Sequence, residues 1–252
     1  MKKRVGLIFL LLVLCLIIPL PTSSQAVGWS DSFNTGVVSD DWSIYGWNRT
    51  SGEDLPGSFS ATDFTLQSNG DDWSKAYRTS DVANGSWIFD LECVQTPANH
   101  SYVAFVASTS TSIDTIPREY GLMTVVGQLG SWDHAFVLYR RNIGNQYIVP
   151  LGNYDVAEIS GWYHINITRT PTGDFTVAFN GTVRITANEP TYTTSDVFSF
   201  SAEAGWAIDN IEVIPYSEDG NQQPPPDTTI FLILGGGIAI VVILALVVKL
   251  RK

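Results

Sequence analysis

Cysteine is nearly missing from this sequence. Two occur in 252 residues: Cys15, inside an apolar N-terminal run, and Cys93. Only Cys93 lies in the body of the chain, so that body has no intrachain disulfide and must rest on its hydrophobic core. Cys93 alternates with Leu91 in "IFDLECV", which reads as buried rather than reactive. Histidine is scarce as well. His100, His134 and His164 are the only three, and they show no metal-ligand spacing. There is no Gly-x-Ser-x-Gly elbow and no cysteine beside a histidine, which removes the common nucleophilic patterns. Basic residues are few. Residues 27–216 carry eight Lys/Arg against 22 Asp/Glu, a net of −14. That balance excludes a nucleic-acid partner, which needs a basic face. It fits a solvated outer surface, divalent cations or a salty habitat.

Long hydrophobic runs stand only at the two ends. The first reads "MKKRVGLIFLLLVLCLIIPLPTSSQA". A basic start, an apolar stretch over residues 5–18 and small residues up to Ala26 form a secretory signal peptide, residues 1–26, with cleavage expected after Ala26. An uncleaved anchor is the other reading of this segment. The second run, residues 229–248, is uncharged and almost wholly apolar. Twenty residues at 1.5 Å each cover about 30 Å, one bilayer core. Lys249, Arg251 and Lys252 follow, which sets residues 249–252 as a cytoplasmic tail and the body outside the cell membrane. Gly235 and Ala239 make a small-residue pair of the kind that lets two such helices touch, though a lone span fits as well. Residues 217–228, "SEDGNQQPPPDT", are polar and Pro-rich, a semi-rigid stalk. Residues 27–216 form one extracellular domain of a type I membrane protein.

That domain alternates with a period of two. In "FTVAFNGTVRITA", Phe175, Val177 and Phe179 share a face, and Asn180-Gly181 supplies the two residues of a type I′ turn. In "WYHINITRT", Tyr163, Ile165 and Ile167 oppose His164, Asn166 and Thr168. Further runs stand at 87–95, 101–108, 120–127, 134–141, 146–150, 197–202 and 206–214, separated by turn-rich stretches. Many short alternating strands with regular turns predict an all-β jelly-roll sandwich of two antiparallel sheets. Five Asn-x-Ser/Thr sequons, at Asn48, Asn84, Asn99, Asn166 and Asn180, suggest a glycosylated surface protein.

The order "REYGLMTVV", "HAFVLYRRN", "GWYHINITRTPTGDFTVAFNGTVRI", "FSFSAEAGWAIDNIEV", with "WSDSFNTGVVSDDWSIYG" ahead of it, resembles the concanavalin A-like, laminin-G-like sandwich domains over roughly residues 29–214. That fold hosts lectins, adhesion modules, glycosidases and lyases, so the resemblance speaks to fold more than to function. It implies that His164 is structural. It also implies a structural Ca²⁺ held by an aspartate on the closing strand, Asp209, and one near the first strand, Asp31. Calcium wants six to eight oxygens, so backbone carbonyls would complete the shell. Alternatively, Asp209 caps backbone N–H groups at a strand end. The laminarinase-like branch uses Glu-x-Asp-x-x-Glu. Here Asp209 and Glu212 match its last two positions, but Ala207 stands where the nucleophile belongs. Residues three apart also point to opposite faces of a regular strand, unless a bulge intervenes.

Stacking on sugar rings needs Trp and Tyr, with charged or amide groups for the hydroxyls. Trp47, Trp132, Tyr139 and Arg141 are the ligand-binding candidates, Tyr139 and Arg141 sharing one face of their strand. Core packing is the competing role for each aromatic. The leading function is a non-catalytic binding or adhesion module for glycans or surface proteins. A carbohydrate-active enzyme on the same fold and a structural envelope glycoprotein are the two alternatives.

Overall fold

The structure, a computed structural model, describes residues 26–47, 54–56, 59–62, 65–68, 73–93, 99–108, 117–144, 147–203 and 205–217. The expected signal peptide, stalk, span and tail lie outside the described residues, apart from their bordering residues 26 and 217. Among the described residues there is no helix long and apolar enough to cross a membrane.

Sixteen strands follow in order: β1 Trp29–Asp31, β2 Trp42–Trp47, β3 Asp54–Pro56, β4 Phe59–Thr62, β5 Thr65–Ser68, β6 Trp73–Thr79, β7 Gly85–Cys93, β8 Asn99–Ala107, β9 Glu119–Leu129, β10 Trp132–Arg141, β11 Ile148–Asp155, β12 Gly161–Arg169, β13 Asp174–Phe179, β14 Thr182–Asn188, β15 Val197–Ala202 and β16 Ala207–Pro215. They form two eight-stranded sheets. The first runs β14-β13-β12-β7-β16-β5-β4, with β1 also on β16. The second runs β11-β10-β9-β8-β15-β6-β2-β3. Every pairing between described strands is antiparallel. The all-β sandwich of two antiparallel sheets expected from the alternation is the fold.

The core lies between the sheets. Trp87, Phe89 and Leu91 of β7, Ile165 and Ile167 of β12, and Phe175, Val177 and Phe179 of β13 face Phe105, Leu122, Phe136, Phe198 and Phe200 of the second sheet. Each fully buried side chain of this size contributes about 1.5–3 kcal/mol, which suits a domain without disulfides. Cys93 is buried among them, and burial pushes its thiol far above the ordinary range. The turn expected at Asn180-Gly181 is present, with φ of 50° and 78°, the signature of a type I′ hairpin.

Two features depart from the sequence reading. Strands β2 to β6 were not among the expected alternating runs. In β6, Trp73, Lys75 and Tyr77 alternate with Ser74, Ala76 and Arg78, so Ala76 is the only aliphatic residue on its inner side. The second departure is in β16. The sequence places Asp209 on one face with Ala207, Ile211 and Val213. A bulge between Asp209 and Glu212 breaks the register against β7, with Asn210 at φ 49°. One extra residue reverses the alternation. Trp206 and Ile208 therefore point into the core before the bulge, and Ile211 and Val213 after it. Asp209 and Glu212 both fall on the outer face.

Candidate functional site

The outer face of the second sheet is built from four successive rungs. Arg141, Glu119, Ala107 and Val197 stand on the first, and Tyr139, Gly121, Ala104, Ser199 and Tyr77 on the second. Val137, Met123, Tyr102, Ser201 and Lys75 form the third; Ala135, Val125 and His100 begin the fourth, with Trp73 further along β6. Alternation places this set on one side, opposite the core residues Leu138, Leu122 and Val103.

Aromatic rings run across it. Trp73 lies 4.8 Å from His100 and 5.5 Å from Tyr102, and Tyr102 lies 5.9 Å from Tyr139, centroid to centroid. The Arg141 guanidinium sits 5.3 Å from the Tyr102 ring and 5.5 Å from the Tyr139 ring, within cation–π range. Beneath it Glu119 Oε1 accepts from the Tyr139 hydroxyl at 2.8 Å and pairs with Arg141 at 3.1 Å. Glu119 is only 3% exposed, so these two donors neutralise a carboxylate that is costly to bury alone. Burial, with Glu119 beside it, holds the Tyr139 phenol well above its usual range, so it stays a donor at neutral pH. Burial draws the Arg141 guanidinium down, but Tyr139 and Glu119 outweigh this and keep it firmly charged. Burial lowers the Lys75 ammonium, with Glu119 opposing the shift.

Gly121 makes this packing possible. A Cβ there would stand 2.5 Å from the Tyr139 hydroxyl oxygen, so only glycine lets the ring cross β9.

The four aromatic and cationic candidates divide. Tyr139 and Arg141 do share a face, but Tyr139 is wholly buried and forms the floor of the site. Arg141 is half-buried above it. Trp132 is half-buried against Met123, Val125, Ala135 and Val137 on the same face. Trp47 pairs with Trp73 in register, and its side chain lies outside the described residues. Sequence reasoning missed Trp73, Tyr102, Glu119 and Lys75. Tyr102 and Glu119 stood inside or beside expected strands, so their face was readable once β8 and β9 were paired with β10.

The two calcium candidates stand close along the paired strands β1 and β16 but face opposite sides of the sheet. Asp31 follows Trp29 on the inner side of β1 and meets the second sheet. Its Oδ2 accepts from Trp42 Nε1 at 2.9 Å and stands 3.7 Å from Arg78. Its Oδ1 accepts from the Phe33 N–H at 3.0 Å. Asp209, moved outward by the bulge, stands instead on a rung with Asp90 and His164. Asp90 takes His164 Nδ1 at 2.7 Å and Asn210 Nδ2 at 2.8 Å. Asp209 Oδ1 is buried and has no hydrogen bond. Burial, with Asp90 and Asp31 nearby, raises its carboxyl above the usual range. Among the described residues no three His, Cys, Asp or Glu side chains converge as a metal site.

A polar cleft of about 510 Å³ opens beside the bulge, lined by Asp31, Phe33, Asn34, Asn210 and Glu212 among others. Phe33 and Asn210 both hold positive φ, uncommon for non-glycine residues.

The sequons differ in setting. Asn180 is exposed at its hairpin tip, its Oδ1 accepting from the His164 N–H. Asn84 Oδ1 accepts from the buried Arg169 at 2.6 Å. Asn166 is half-buried on the outer face of the first sheet. The side chains of Asn48 and Asn99 lie outside the described residues.

No protein-family model matches the sequence, and no curated protein matches it. Solved structures do match in shape. The carbohydrate recognition domain of Emp47p superposes with a TM-score of 0.54 at 11% identity, covering 79% of this chain and all of that one. The exoplasmic/lumenal domain of VIP36, solved with Ca²⁺ and Man3GlcNAc, gives 0.54 at 8% identity, covering 80% and 96%. The potassium-bound recognition domain of Emp46p gives 0.53 at 5% identity, covering 70% and 91%. The fold of this chain is therefore the concanavalin A-like β-sandwich.

Proposed function

We propose that the protein is a membrane-anchored, surface-displayed glycan-binding module without catalytic activity. The carrying observation is the outer face of the second sheet. The half-buried rings of Trp73 and Tyr102 offer stacking surfaces for pyranose rings. Arg141 and Lys75 supply donors for hydroxyl groups, and Glu119 and Tyr139 lock Arg141 from below. Membrane anchoring is supported by the uncharged segment 229–248 and the basic residues behind it. The similar folds solved with Ca²⁺, K⁺ and mannose-containing ligands support a glycan partner and an ion, calcium being the first to test.

A glycan-array screen of residues 26–217, run with calcium and with EDTA, tests this, alongside a melting curve in each. Saturable binding to one sugar class supports the reading. Its loss in EDTA puts calcium in or near the site. A lower melting temperature in EDTA with binding retained makes calcium a structural clamp. No binding in either buffer contradicts the glycan reading.

A further inference from the structure

Both ends of the described chain leave the sandwich at the same end. Trp29 pairs with Val213 and Pro215 with Gly85. The Val27 N–H donates to Asp81, and the Tyr216 N–H to the Asn84 carbonyl. The second sheet presents the matching end. Ser80 donates to the Asp196 carbonyl, Val197 pairs with Thr79 and Ala107, and Ala107 pairs with Glu119. Glu119 pairs with Arg141, so the connection from β10 to β11 emerges here too.

Exposed apolar side chains gather at this end. Among the described residues eight large ones are well exposed, and five of them are here: Val27 at 66%, Ile143 at 68%, Tyr147 at 71%, Val149 at 39% and Tyr216 at 47%. Trp162 and Val183 are at the other end. Arg140 and Arg141, which end β10 just before Ile143, are paired with Glu189 and Glu119. Paired charges enter a low-dielectric boundary at less cost than single ones. The chain then leaves through residues 217–228, which precede the apolar segment 229–248. Twelve residues can span about 43 Å at most, so this end is tethered within that distance of the segment. Tyr and aliphatic side chains are those that settle at a lipid headgroup boundary.

We infer that this end of the sandwich rests on the lipid bilayer surface, with Ile143, Tyr147 and Tyr216 seated among the headgroups. The inference rests on the membrane-anchored reading above. It orients the candidate site: from Arg141 to Ala135 is six residues at about 3.3 Å. The His100 and Trp73 end of the aromatic face therefore stands about 20 Å farther from the lipid than Arg141.

The test uses the full chain reconstituted in phosphatidylcholine vesicles. Variants Ile143→Cys, Tyr147→Cys and Val183→Cys, each with Cys15→Ser, are labelled with a fluorophore and exposed to brominated-chain lipid. Quenching at 143 and 147 at least threefold above that at 183 is expected. Equal quenching at the three positions, in vesicles that carry the protein on flotation, overturns surface contact and leaves the anchor standing. Labels at 143 and 147 that are shielded from water but not quenched by lipid point to a protein partner and overturn it as well. A chain that fails to float with the vesicles contradicts the anchor and the contact together.

Discussion

Single residues decide whether the aromatic face exists. Gly121 is the clearest case, because any side chain there meets the Tyr139 ring. Gly121→Ala is expected to cost about 1–3 kcal/mol, the usual penalty of overpacking, read as a lower urea midpoint. Tyr139→Phe removes a donor to a buried carboxylate and should cost about 1.5–3 kcal/mol without altering the fold. Asp209 behaves in the opposite sense. Its carboxyl is raised by burial and by nearby carboxylates, so the native state disfavours its charge. A raised carboxyl contributes stability that is present below the unfolded pKa and lost as pH climbs through the folded one. Asp209→Asn should therefore stabilise the protein at pH 7, and the gain should vanish at about pH 3. Paired melting curves at the two pH values check this. Destabilisation at pH 7 that appears only with calcium present would mean that Asp209 holds the ion.

Elements explain what the sequence made legible. The β13–β14 hairpin was readable because alternating apolar residues and Asn-Gly specify both strands and their register. Gly181→Val should cost about 1 kcal/mol or more, since φ at that position is 78° and its surroundings are open, leaving only backbone strain. Strands β7 to β10 were readable by the same period of two, with ends displaced by one or two residues. The β16 bulge was not. Its extra residue inverts the facing of Asp209 relative to Ile211, and "AIDNIEV" alternates convincingly as a straight strand. Asn210 at positive φ is a weak local signal, because asparagine tolerates that region in many turns. Strand β6 was hidden for a different reason. Its inner side carries Ser74, Ala76 and Arg78, and Arg78 is satisfied by Asp31 and Asp41, which lie far away in sequence. Arg169 makes the same point on β12. It lies in the buried register after Ile165 and Ile167, where Ala83, Asn84 and Glu189 oxygens receive its donors. No local pattern announces a buried arginine.

At the scale of the molecule, the stability of the body rests on one continuous core between two sheets. Cys93 reports on that core. Buried, with its thiol held protonated, it should react with thiol reagents at the rate of unfolding and no faster, measurable by labelling in rising urea. The site itself was half legible. The face of Tyr139 and Arg141 followed from alternation on one strand, whereas Trp73 and Tyr102 joined it only through pairing between strands distant in sequence. The central claim is that this face binds glycan, and its most direct measurement is titration of the sugar class found on the array. It compares the native body, Trp73→Ala on the face, and Trp162→Ala, an exposed tryptophan on the other sheet. The account predicts that Trp73→Ala weakens binding about tenfold, the loss of roughly 1.4 kcal/mol of stacking, while Trp162→Ala binds as the native protein does. Equal affinity in Trp73→Ala and the native body, or loss confined to Trp162→Ala, would contradict it.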